Sequence, residues 1–262
     1  MELWTRQHAV TLIPSVAVMI VLTLLLRHWL GNKPHKIRMI PIQIIAVLLL
    51  ILEIGKQGVS FYRGYDLYAL PFHFCSLFIF VLPAMAFYKG KKYPKVYAVT
   101  AALCASVFAL MLIYPNLIYG SWNVDNYFKD YMDFHTVTFH NLVMLAFLLI
   151  VGLQLHTPAR KGEVKTVLWF VTGFCVVSAS MAYLLKTNYA NYYRCNIPVL
   201  EAVRLAVQEA VGALPATLLY ISIVSVLNLI FVFGSYWLYR LLHKMFQKQE
   251  KTTLIGQRFT RK

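Results

Sequence analysis

The sequence predicts an all-α membrane protein, a polytopic bundle of seven transmembrane helices with its N-terminus outside and its C-terminus in the cytoplasm. Three observations carry this. First, 60% of the 262 residues are hydrophobic and only 13% are charged, roughly half the charged share of a soluble domain. Second, seven mostly apolar runs approach the ~20 residues that a helix needs to cross ~30 Å of hydrocarbon. Third, the basic residues fall in alternate loops, which the positive-inside rule reads as cytoplasmic.

The predicted spans are residues 9–30, 37–54, 69–88, 96–114, 136–155, 165–185 and 214–239. Helices are the expected form because unpaired backbone groups are costly in lipid. The first loop carries Arg27, Lys33, Lys36 and Arg38. The third carries Lys89, Lys91, Lys92 and Lys95, and the fifth Arg160, Lys161 and Lys165. The tail adds Arg240, Lys244, Lys248, Lys251, Arg258, Arg261 and Lys262. Eighteen of the 25 Lys and Arg residues thus lie on one side, opposed there only by Glu163 and Glu250. Residues 1–240 form one transmembrane domain, and 241–262 form a basic cytoplasmic tail. The net charge of +15 therefore marks topology and contact with anionic lipid, not nucleic-acid binding. No cleavable signal peptide is expected: Arg6 is the one basic residue before the first span, and no small-residue cleavage site follows. The location that follows is the cell membrane.

The polar residues gather toward one leaflet. The second span ends in "LEIGKQG" with Glu53, Lys56 and Gln57. The third opens with "LPFHFC", containing His73 and Cys75, and the fifth with "DFHTVTFHN", containing Asp133, His135, His140 and Asn141. The sixth leaves into "KTNYANYYRC", with Lys186, Asn188, Asn191, Arg194 and Cys195. The inner halves hold little beyond Ser106, Thr172 and Asn228. Polar groups within a bilayer usually face the bundle interior and mark a site. At 1.5 Å per residue, Cys75 and His140 are expected at a shared depth of ~9–10 Å below their helix starts. A thiol beside an imidazole suits acyl transfer or lipid ester hydrolysis, and Ser76 is a rival nucleophile. Lys56, Lys186 and Arg194 suit a phosphate headgroup. Glu53 with Lys56 and Gln57 has one-turn helical spacing that favours pairing.

Simpler readings stand beside these. Cys104 and Cys175 read as small hydrophobes, and Cys75 and Cys195 lie where a disulfide is permitted. His8, His28, His35, His156 and His243 read as interfacial or terminal. His73, His135, His140 and Glu53 lack the tight spacing of a metal site, and neither a metal nor another cofactor is expected. Pro83 is expected to kink the third span and Pro115 to end the fourth. The stretch "PVLEAVRLAVQEAVGALP" reads as an amphipathic helix at the interface, either a lid over the polar site or an anchor for the last span.

The motifs "LYALPFHFC", "FHTVTFHNL" and "TNYANYYRCNIP" together resemble YwaF-type integral membrane proteins of bacteria, a group similar to transmembrane protein 164 of animals. The resemblance runs from about Ile42 to Val232. It implies an acyltransferase-like multi-helix fold acting on phospholipid or lysophospholipid, with Cys75 as nucleophile and His140 as its histidine. Asn141 departs from the Gly that follows this His in many members. The expected function is a membrane-embedded lipid acyltransferase or ester hydrolase. Its catalytic residues would be Cys75, His140, His73 and His135, and its substrate contacts Glu53, Lys56, Gln57, Asn141, Lys186 and Arg194. The alternative is a transporter or receptor binding a small polar or anionic ligand in an outward cavity.

Overall fold

The computed structural model describes residues 3–158 and 162–259, with side chains described up to Lys244. Arg160, Lys161, Arg261 and Lys262 of the basic loops lie outside the described residues, as do the side chains of Lys248, Glu250, Lys251 and Arg258. The regular structure of the described chain is all helix, without strands among the described residues.

Among the described residues, six helices are long and apolar enough to cross a membrane. They are α1 (Arg6–Leu30), α2 (Ile40–Tyr62, entered through the turn His35–Arg38), α4 (Tyr93–Ile113), α5 (Tyr131–Gly152), α6 (Glu163–Leu184) and α8 (Ala213–Phe259). Two shorter helices complete the frame: α3 (Phe78–Phe87) and α7 (Pro198–Val211). Helix α8 runs without a break through the last predicted span and on into the basic tail.

The third predicted span, 69–88, is not one long helix. Leu67–Ala69 and Cys75–Leu77 are single 3₁₀ turns, and the second leads directly into α3. Leu70 between them is extended, at φ −63° and ψ 148°. The cause is Pro71, whose ring disfavours helical geometry in the residue before it. The apolar helix Cys75–Phe87 covers only about 20 Å at 1.5 Å per residue, short of the ~30 Å hydrocarbon core. Cys75 is therefore the first residue of its helical run rather than nearly two turns inside it. The second span runs longer than predicted. Helix α2 continues past residue 54 to Tyr62, so Glu53, Lys56 and Gln57 all sit on helix, as their one-turn spacing implied. Pro83 lies inside α3, while α4 ends just before Pro115 as expected.

Helix α4 is the axis of the bundle, packed by α3, α5, α6 and α8. Its middle is small: Ala98, Ala101, Ala102, Cys104, Ala105 and Ser106 are all fully buried. Small side chains let helix backbones approach closely, which substitutes for the hydrophobic drive that lipid does not supply. Outward faces are apolar instead. Val18 and Val21 of α1, Ile51 and Ile54 of α2, Val176 of α6 and Ile230 of α8 are all exposed, the pattern of a surface solvated by acyl chains. The polypeptide is a multi-pass integral membrane protein.

Enlarging the spine should disrupt this packing. Ala102→Leu is expected to cost ~1–3 kcal/mol of overpacking, read as a lower temperature for loss of the monodisperse peak in detergent. Leu112→Ala, on an exposed position of the same helix, should leave that temperature nearly unchanged.

Candidate active site

The broken segment before α3 is held by side chains from three neighbours. Gln57 Nε2 of α2 donates to the Ala69 carbonyl at 2.9 Å, and Ser178 Oγ of α6 donates to the Phe72 carbonyl at 2.8 Å. Tyr189 Oη, from the loop after α6, donates to the Leu67 carbonyl at 2.5 Å. These bonds satisfy carbonyls that the missing helix would have used. They also fix where His73 and Cys75 emerge.

His73 and Cys75 open onto a cavity of about 220 Å³. His140 of α5 lines the same cavity, with Tyr68, Ser106, Asn188 and Asn228 among its other polar walls. His140 Nδ1 lies 2.6 Å from the Thr136 carbonyl. A carbonyl only accepts, so Nδ1 carries the proton and Nε2 is left with its lone pair. His73 is set the other way: its Nε2 donates to the Tyr68 carbonyl at 3.1 Å, leaving Nδ1 as the acceptor. Tyr68 and Tyr189 clasp the His73 ring, with centroids 4.2 and 5.2 Å away. Cys75 is the first residue of the helical run that continues into α3.

The remaining sequence candidates divide among three places. Glu53, Lys56, Gln57 and His135 form a buried ionic cluster outside the cavity wall. Glu53 Oε1 accepts from Lys56 Nζ and Gln57 Nε2, each at 2.8 Å, and His135 Nε2 lies 3.5 Å from Glu53 Oε2. Lys186 and Arg194 line a second cavity, about 490 Å³, with Asp66, Thr187 and Tyr193. It shares Tyr68, Asn188 and Asn196 with the Cys75 cavity. Asn141 lines neither cavity, and its Oδ1 is buried without a hydrogen-bond partner among the described residues.

Other expectations resolve as follows. All four cysteines are free, so Cys75 and Cys195 are not bridged. Ser76 is buried and does not line the cavity. Ser106 and Asn228, placed by sequence in the opposite half of the bundle, line the cavity with His140. No group of three potential metal ligands is found among the described residues. His8 is buried at the start of α1, its Nε2 donating to the Tyr119 carbonyl at 2.8 Å. His156 and His243 are buried as well. His156 Nε2 lies 3.6 Å from Glu163 Oε2, which accepts from Tyr236 Oη at 3.1 Å. No sequence spacing signals this second cluster, because its members come from α6, α8 and the loop between α5 and α6.

A model of the TMEM164 family matches residues 3–236, nearly the whole sequence. The chain belongs to the TMEM164 family. No curated protein and no solved structure matches it. In this TMEM164-family chain the matched region contains the Cys75 cavity, the Glu53 cluster and the Lys186–Arg194 cavity.

The Glu53 cluster should behave as a buried ion pair. Glu53→Ala strands Lys56 and is expected to destabilise the protein by ~3–5 kcal/mol, measured as thermal stability in detergent. Glu53→Leu combined with Lys56→Leu should recover much of that loss. Equal damage from the single and double variants would show that the cluster is not held together by charge pairing.

Proposed function

We propose that this protein is a lipid acyltransferase or lipid ester hydrolase of the cell membrane, working from the outer leaflet. The observation that supports this reading best is the shared cavity of Cys75, at a helix start, and His140, with its Nε2 lone pair free. His140 Nε2 takes the thiol proton as the Cys75 sulfur bonds to an acyl carbonyl carbon. The ester C–O bond then breaks, and the protonated imidazole returns the proton to the leaving alkoxide. The hydroxyl of an acceptor lipid in transfer, or water in hydrolysis, then bonds to the thioester carbonyl carbon as His140 accepts its proton; the C–S bond breaks, and the imidazole returns that proton to the Cys75 sulfur. His73, whose one N–H is spent on the Tyr68 carbonyl, offers Nδ1 as an acceptor and so orients the attacking hydroxyl or water rather than the carbonyl oxygen. Lys186 and Arg194, in the adjoining cavity, hold the headgroup phosphate. His135 serves at one remove, as the partner of Glu53.

The test is covalent labelling of purified protein with a thiol-reactive acyl probe, located by peptide mass spectrometry. Wild type should label at Cys75, and Cys75→Ser should abolish that adduct. His140→Ala should slow it by ~10²–10⁴-fold, the range for a general base. Lipid acyl exchange in vesicles should fall in parallel. A folded Cys75→Ala variant with full acyl exchange would overturn the nucleophile assignment.

A further inference from the structure

The polar cavity adjoins a larger, apolar groove of about 470 Å³ between α7 and α8. The two share Leu110, Leu117, Ala190, Asn191, Asn228 and Phe231. On α8 the lining residues recur from Ala216 through Tyr220, Val224 and Asn228 to Phe231, the one-face spacing of a helix. That stretch is about 22 Å long at 1.5 Å per residue, longer than the ~15 Å hydrocarbon half of a bilayer. Leu200, Val203 and Val207 of α7 form the opposite wall. Helix α7 contributes no buried residue and packs chiefly on α8.

The rim of the groove is polar and tied down. Arg204 Nη2 and Nε donate to Glu201 at 2.6 and 2.8 Å, and Glu201 Oε2 also accepts the Cys195 N–H at 2.8 Å. The Arg204 guanidinium lies over the Tyr220 ring, 5.6 Å from its centre. Tyr220 Oη in turn donates to the Asn191 carbonyl at 2.6 Å. A contact chain thus holds α7 against α8 and the loop that roofs the Cys75 cavity, while the space behind it stays open and apolar.

We infer that this groove is the acyl-chain site: it holds one long hydrocarbon chain of the lipid whose ester carbonyl sits between Cys75 and His140. The inference rests on the acyl-transfer reading and adds where the chain lies and which residues select its length. Helix α7 is then a specificity wall rather than a cover for the polar cavity, which none of its residues lines. A short acyl group would reach Cys75 without using the groove. A long one would gain the packing contacts of its methylenes along α8.

Two measurements test it. In the first, thiol-reactive acyl probes with short and long chains compete for Cys75 in wild type, Val224→Trp and Val203→Trp. The indole fills the groove from either wall. The long-to-short labelling ratio should fall about tenfold, within the range that overpacking produces. Val203 lies on a helix outside the core, so that variant remains informative if Val224→Trp does not fold. In the second, a phosphatidylcholine with a diazirine near the end of one acyl chain is photolysed with Cys75→Ala protein in vesicles. Crosslinks should concentrate on α7 and the 216–231 face of α8, and should drop in the Val203→Trp background. An unchanged labelling ratio, or crosslinks as dense on the lipid-facing surfaces of α1 and α6, would overturn the assignment. Absence of Cys75 labelling by either chain length in wild type would instead remove the acyl-transfer reading, and the crosslink map then decides the groove on its own.

Discussion

A chain that leaves its helix within a hydrocarbon layer exposes carbonyls that lipid cannot bond, so protein must bond them. This molecule meets that requirement around Leu67–Phe74, where Gln57, Ser178 and Tyr189 each donate to one carbonyl of the broken stretch. Everything at the candidate site follows from that arrangement. The break turns Cys75 from a residue inside a helix into the first residue of one. The donors come from α2, α6 and the loop after α6, so the segment cannot move without moving three other parts of the bundle. Tyr189 both pins Leu67 and clasps His73, joining backbone support to side-chain orientation.

The same economy governs the charges. Glu53, Lys56, Gln57 and His135 bring α2 and α5 together through a carboxylate with three partners, at a place where an isolated charge would cost several kcal/mol. Gln57 belongs to both systems, bonding Glu53 with the same amide nitrogen that supports Ala69. Tyr65 completes its coordination by donating to Gln57 Oε1 at 3.0 Å. The ionic cluster and the broken segment are therefore one network, and none of its charged members lines the cavity. At the other end of the bundle, His156, Glu163 and Tyr236 form a smaller buried network that joins α8 to the start of α6. Between the two, α4 supplies a spine of small residues that carries no charge beyond Lys95 in its first turn.

Three spaces of different character meet around the loop 185–197. The 220 Å³ cavity contains the thiol and the imidazoles, the 490 Å³ cavity is polar with two cations, and the 470 Å³ groove is apolar. Asn188 and Asn196 border the first two, and Ala190 and Asn191 border the first and third. This is the order of parts in a phospholipid: headgroup, ester, chain. Ala190 and Asn191 hold left-handed backbone, at φ 47° and 63°, a geometry that non-glycine residues keep only when their surroundings impose it. The Asn191 carbonyl is fixed by Tyr220.

The sequence by itself determined the membrane class, the helical character and most span positions, because length and hydropathy are local properties of the chain. It also contained the signal for the break, since Pro71 disfavours a helix through Leu70, although an apolar run of full length concealed it. The five-residue spacing of His135 and His140 turns them ~140° apart on α5, so they had to face different surroundings. Which of them met Cys75 was decided only by tertiary packing. His140 shares the cavity and His135 turns to Glu53, because α2 lies against one side of α5 and the cavity against another. Tertiary packing likewise brought Ser106 and Asn228 to Cys75 and took Asn141 and Ser76 away. Depth along a helix can be counted in residues, but the rotation of one helix against its neighbours is set by which side chains interlock, and no spacing within a single helix encodes that.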